Sequence, residues 1–164
     1  GAEPARTVVL MSPAKTYNIA GTNLGMVVAP DPQVRHRLLA AQQGLVPHLN
    51  TFGYTAALAA LRDGEPWRRQ LIQVLRRNAA RVSQFVATAM PGFRMAPVQA
   101  TYLAWIDCRG ARLPQPPATF FEAAGIGLSD GLPYGERGFV RLNFGCPAAQ
   151  LELALARMRT ALPD

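Results

Sequence analysis

One residue type stands apart before any fold is considered. Of the 17 basic residues, Lys15 is the only lysine and the other sixteen are arginines. An ammonium can lose its proton and become an amine nucleophile that condenses with a carbonyl, whereas a guanidinium stays protonated inside proteins. Coding bias toward arginine accounts for lysine's absence elsewhere, so the survivor invites a chemical explanation beside the ordinary one of an exposed loop residue. Lys15 lies in Ser12-Pro13-Ala14-Lys15-Thr16-Tyr17-Asn18-Ile19-Ala20-Gly21. A second candidate is Arg141, in mid-run within Phe139-Val140-Arg141-Leu142-Asn143-Phe144. A buried charge there is costly unless paired, and a planar guanidinium grips a carboxylate through two parallel hydrogen bonds. The pairing group is either an internal acid or a ligand.

The elements that must position these groups follow from pattern. Thr7 to Met11 and Leu24 to Ala29 are short β-branched and apolar runs, long enough for buried strands, and the lysine lies in the turn-rich loop between them. Asp31-Pro32 opens a helix to about Gly44, and Pro47 to Tyr54 turns into another that ends near Asp63-Gly64. Pro66 begins the longest helix, with Trp67, Leu71, Leu75, Val82, Phe85 and Val86 on one side, ending at Pro91-Gly92. Arg68, Arg69, Arg76, Arg77 and Arg81 form its outer face.

The period then changes to two. Thr101 to Asp107 and Phe139 to Phe144 read as strands, with Val140, Leu142 and Phe144 on one side and Phe139, Arg141 and Asn143 on the other. Ala118 to Ala124 reads as a helix, the following segment to Gly138 as a loop, and Ala148 to Leu162 as a closing amphipathic helix. Two short apolar strands cannot make a stable sheet alone. They therefore belong to a larger sheet, or another chain covers them.

Composition narrows the function classes. With 49% hydrophobic and 16% charged residues over 164 positions the chain is globular, and no run is long enough to span a membrane. Cys108 and Cys146 make neither a metal pattern nor a disulfide framework, and a reducing cytoplasm is the simpler setting. The net charge of +7 is spread along the chain without a nucleic-acid motif, so the arginine face is read as a solvated surface or a protein contact.

The lysine loop closely resembles the cofactor loop of fold-type-I pyridoxal-phosphate (PLP) enzymes, in particular the cystathionine β-lyase (C–S lyase) branch of the class I/II aminotransferases. Four further landmarks match that branch in order: Asn50-Thr51-Phe52-Gly53, Asp63-Gly64-Glu65-Pro66-Trp67, Thr101-Tyr102-Leu103-Ala104-Trp105 and Gly138 to Phe144. The resemblance runs from about Val8 to Leu162. It implies an α/β protein, the C-terminal part of an aminotransferase fold, with residues 1–64 ending the large cofactor-binding domain and 65–164 forming a small α+β domain. The family's earlier half, with its phosphate-binding turn, stacking ring and pyridine-binding aspartate, would come from a missing N-terminal portion or a companion chain.

The same resemblance implies site roles. Lys15 would hold pyridoxal 5'-phosphate as a Schiff base and take the substrate's Cα proton. Ser12 would contact the phosphate, unless it only opens the turn. Thr51 would approach the phosphate of a neighbouring subunit in a homodimer, and Arg141 would bind the α-carboxylate of a small amino-acid substrate. Tyr17 and Asn18 would shape the loop. His36, His48, Cys146 and Asp130 are read as bystanders or turn residues. Asn23 stands where many aminotransferases carry a second phosphate-binding arginine, which fits the lyase branch better. The implied activity is C–S β-elimination of cystathionine or cysteine conjugates. An aminotransferase, a catalytically silent fragment or interaction module and, more remotely, a nucleic-acid binder remain alternatives.

Overall fold

A computed structural model describes residues 7–162. They divide into two compact units, the first ending at Gln70 and the second beginning at Leu71. The division falls within a single long helix.

The first unit opens with two three-residue strands, β1 (Val9–Met11) and β2 (Met26–Val28), paired antiparallel with Val9 opposite Val28 and Met11 opposite Met26. Their apolar composition predicts burial, and here the structure differs. Leu10 is 75% exposed and Met11, Val9, Val27 and Val28 are each about half exposed. Three residues per strand leave no face broad enough to cover itself, and the described residues of this unit leave the hairpin's side chains exposed.

Helix α1 (Pro32–Gln42) starts where Asp31 accepts the backbone N–H groups of Gln33 and Val34, with proline at the first helical position. Helix α2 (Thr51–Asp63) starts on Asn50 in the same way, through Gly53 N–H at 2.6 Å. Among the described residues of this unit Leu24, Ala29 and Ala57 are buried, while Leu45, Val46, Leu49, Phe52 and Leu58 are exposed.

Helix α3 (Glu65–Ala89) carries the chain into the second unit. It stops where Pro91 removes a donor and Gly92 turns at φ +82° against the Gly110 carbonyl, a spot a Cβ could not share. A four-stranded antiparallel sheet follows, in the order β3 (Arg94–Met95), β4 (Leu103–Asp107), β6 (Phe139–Asn143), β5 (Ser129–Asp130). The two short strands were not anticipated, since two residues show no period. Helices α4 (Pro117–Ala123) and α5 (Ala148–Ala161) complete the unit.

Alternation does the rest. Ala104, Ile106, Val140 and Leu142 point into one cluster with Val82, Phe85 and Val86 of α3, Phe121 of α4 and Leu151, Leu155 and Met158 of α5. Each large side chain buried there contributes about 1.5–3 kcal/mol, so this cluster rather than the hairpin carries the stability.

One polar residue is built into that core. Asn78 is 3% exposed and its Nδ2 donates to the Phe144 and Cys146 carbonyls, both at 2.9 Å. It ties α3 to the turn before α5, whose first turn has no side-chain cap. Asn78→Ala leaves both carbonyls without their donor and is expected to cost about 2–4 kcal/mol; a lowered denaturant midpoint with unchanged slope is the measurement.

The predicted outer face of α3 is partly engaged. Arg68 and Arg69 both hold Glu65, bringing its carboxyl down to about 2, and Arg81 pairs with Glu152 at 2.7 Å. Trp67, assigned above to the apolar side, is instead 44% exposed. Among the described residues no helix is long and apolar enough to cross a membrane.

Candidate functional site

The lysine loop is a wound turn rather than a slack connection. Tyr17 N–H donates to the Pro13 carbonyl and Ile19 N–H to the Ala14 carbonyl, and Asn18 takes φ 56°, a left-handed conformation that asparagine tolerates better than most residues. A 3₁₀ turn at Ala20–Thr22 ends on Asn23, also left-handed at φ 53°. Lys15 sits exposed on the outside of this turn and makes no hydrogen bond or ion pair to a described residue.

Three contacts brace the loop. Ser12 Oγ donates to the Leu24 carbonyl at 2.6 Å and accepts Ala14 N–H at 3.1 Å, closing the loop's two ends. Asn50 Nδ2 donates to the Thr22 carbonyl at 3.3 Å while its Oδ1 caps α2. Tyr17 lies against Gly64, where a Cβ would come within 2.7 Å of its ring, and its ring stacks on Trp67 at 6.4 Å between centroids.

Gly53 is the tightest of these fits: a Cβ there would stand 2.5 Å from the Thr22 carbonyl, a backbone atom that cannot swing aside. Gly53→Ala is therefore expected to push α2 off the loop at a cost of about 1–3 kcal/mol. Faster proteolysis or hydrogen exchange across residues 12–25 would register it.

Thr51 occupies the first turn of α2, exposed, next to the Asn50 that grips the loop. Ser12, Lys15 and Thr51 thus belong to one assembly in the first unit. In this geometry the single Ser12 proton is spent on Leu24, the turn-opening role rather than a donation outward.

Arg141 belongs to the second unit. It lies mid-β6 opposite Trp105 on one side and Ser129 on the other, half-buried on the sheet face turned away from the core. One Nη donates to Ser129 Oγ at 3.0 Å, and the guanidinium lies 4.8 Å from the Tyr134 ring centre. No acid among the described residues pairs with it. Its neighbour Arg109 differs, held by Asp107 at 2.8 and 2.9 Å, which lowers the Asp107 carboxyl to about 2.

Of the residues set aside, His36 and His48 are exposed and Asp130 accepts Leu132 N–H, as turn chemistry requires. Burial pushes the Cys108 thiol up to about 12, out of reach of ordinary thiolate chemistry. Cys146 is half-buried. Pattern reading missed Asn50, Gly53 and Gly64 as loop supports and Ser129 and Tyr134 beside Arg141. The only signal for the first three was their place inside the matched landmarks.

The chain is 34% identical over 164 residues to cystathionine beta-lyase PatB of Bacillus subtilis, with 95% of the chain covered and 42% of the relative. It is 30% identical to the protein MalY of Escherichia coli, covering 94% of the chain and 41% of the relative. A crystal structure of OvoB superposes with TM-score 0.93 and 42% identity, over 98% of this chain and 42% of that one. Cystalysin from Treponema denticola, which contains a pyridoxal 5'-phosphate cofactor, superposes with TM-score 0.86 and 26% identity over 96% of this chain and 41% of that one. The chain therefore spans well under half the length of the relatives it matches. Residues 1–158 match the model of aminotransferase class I and II, and with the wound lysine loop and the antiparallel sheet in place, this chain belongs to that family.

Proposed function

We propose that this chain is part of a PLP-dependent carbon–sulfur β-lyase that cleaves L-cystathionine or related cysteine conjugates to a thiol, pyruvate and ammonia. One observation carries the reading: the chain's sole lysine stands exposed on a loop braced at three points, its amine committed to no described residue. The names of the relatives support the lyase branch over others.

The residues present fit the cofactor. Lys15 has the one primary side-chain amine able to hold it covalently, and Thr51, with Ser12 if its hydroxyl is re-aimed, has a hydroxyl for the phosphate. When bound, pyridoxal phosphate supplies an electron sink for the pair left at the substrate Cα. Lys15 Nζ, as a neutral amine, then accepts the Cα proton. Arg141 receives the substrate α-carboxylate through two parallel hydrogen bonds from its planar fork.

On this reading residues to about 64 end a large domain and the rest form a small one. A further N-terminal portion or companion chain covers the bare β1–β2 hairpin and completes the cofactor pocket. The working assembly is a homodimer in which Thr51 serves the neighbouring subunit's phosphate, and the free thiols fit a reducing cytoplasm.

The deciding assay incubates the full-length protein with cystathionine and measures pyruvate and free thiol. Equimolar release is expected. Exchange of amino groups with an added keto acid, without pyruvate, would replace the lyase reading with the aminotransferase one.

A further inference from the structure

The segment from Gly125 to Gly138 looks featureless in sequence, yet it is tied down along its length. Gly131 N–H donates to the Phe139 carbonyl at 2.9 Å, Glu136 N–H to the Gly131 carbonyl at 3.1 Å, and Asp130 holds Leu132 N–H at 3.1 Å. A 3₁₀ turn at Leu132–Tyr134 closes on Gly135 at φ +88°. The effect is to deliver two side chains to Arg141: Ser129 from the paired strand β5 and Tyr134 from the turn.

Those side chains end a row of aromatic rings across the outer face of the sheet. Tyr134 meets Trp105 edge-on at 5.8 Å, Trp105 stacks on Phe139 at 5.5 Å and 15°, and the Arg109 guanidinium caps Phe139 at 4.7 Å. Each end of the row is an arginine over a ring, but the two ends differ in charge. Arg109 is neutralised by Asp107, whereas Arg141 has no acidic partner among the described residues and is held by the neutral Ser129 oxygen and the Tyr134 ring face. A guanidinium has five N–H donors, and this one spends a single Nη hydrogen bond on the described residues. The cation is oriented but not balanced, an arrangement that leaves its fork for an anion from outside.

We propose that Ser129 and Tyr134 are positioning residues that pre-set the Arg141 guanidinium for the substrate carboxylate. The inference rests on the role proposed for Arg141 above. A long arginine side chain loses rotamer freedom when it binds, and fixing it beforehand removes that cost from the binding step. Ser129 sets the rotation of the guanidinium plane in its own strand register, and the Tyr134 ring covers one face, so a carboxylate approaches along the open edge.

The test uses the full-length protein and two probes that need no turnover, butanoate and its uncharged amide, titrated by calorimetry. Ser129→Ala and Tyr134→Leu are each expected to weaken butanoate binding and raise KM for the amino-acid substrate by about three- to tenfold, with kcat held within about twofold. Binding of the amide should not change. Tyr134→Phe, which keeps the ring, and Ser129→Thr, which keeps the hydroxyl, should restore native values. Because Tyr134 is 52% exposed, its truncation takes little from the core. If Arg141→Leu abolishes the preference for butanoate while Ser129→Ala and Tyr134→Leu leave it intact, the positioning role is wrong and the carboxylate role of Arg141 stands. If Arg141→Leu itself leaves that preference intact, the underlying reading fails and the positioning role with it. Equal weakening of butanoate and amide would mark a general structural effect and likewise overturn the proposal.

Discussion

Lys15→Arg in the full-length protein is expected to lower turnover by about a thousandfold or more, because a guanidinium can neither act as an amine nucleophile nor take up a proton near neutral pH. The substitution keeps the positive charge and similar length, and it falls at an exposed position whose loop is held by Ser12, Asn50 and Tyr17 rather than by the lysine. Thermal stability should therefore barely move, which separates a chemical loss from a folding one. Borohydride reduction in the presence of pyridoxal phosphate supplies an independent readout. Within this chain the adduct should map to the peptide containing Lys15 and vanish in the variant. Full turnover by Lys15→Arg would remove the basis of the proposed function.

Arg141→Leu should produce the next largest loss, about 30- to 1000-fold in kcat/KM, by analogy with deleting one member of a desolvated charge pair. The loss should appear mainly as raised KM and should be absent for substrate carboxamides, which have no charge to lose. Arg141→Lys is expected to recover only part of it, since an ammonium is a point charge without the planar fork that matches a carboxylate. The leucine side chain suits its position, half-buried between Trp105 and Ser129, so the sheet should survive the change.

Much of this was legible from residue types. Lys15 and Arg141 stand out as candidates because one is the sole lysine and the other breaks an apolar strand. Helix starts were readable where Asp31 precedes Pro32, since capping is local chemistry that needs no tertiary information. The burial of β1 and β2 was not readable, because the same apolar run describes a covered strand and a bare one, and only the surroundings decide. Gly53 and Gly64 look like ordinary helix weaknesses until the Thr22 carbonyl and the Tyr17 ring are seen against them. Ser129 and Tyr134 lie in a stretch whose regular pieces are two and three residues long, below the length at which any periodicity registers. The family resemblance filled part of that gap, since it matched landmarks whose individual geometry no pattern could supply.

The chain's two tryptophans fall one in each unit, and both are wired to the groups of interest. Trp67 stacks on Tyr17 of the lysine loop, while Trp105 is flanked by the Tyr134 and Phe139 rings beside Arg141. Each is thus an intrinsic fluorophore with its own aromatic surroundings. Exchanging one indole at a time for phenylalanine would give emission signals that follow amine chemistry and carboxylate capture separately, without attaching a dye.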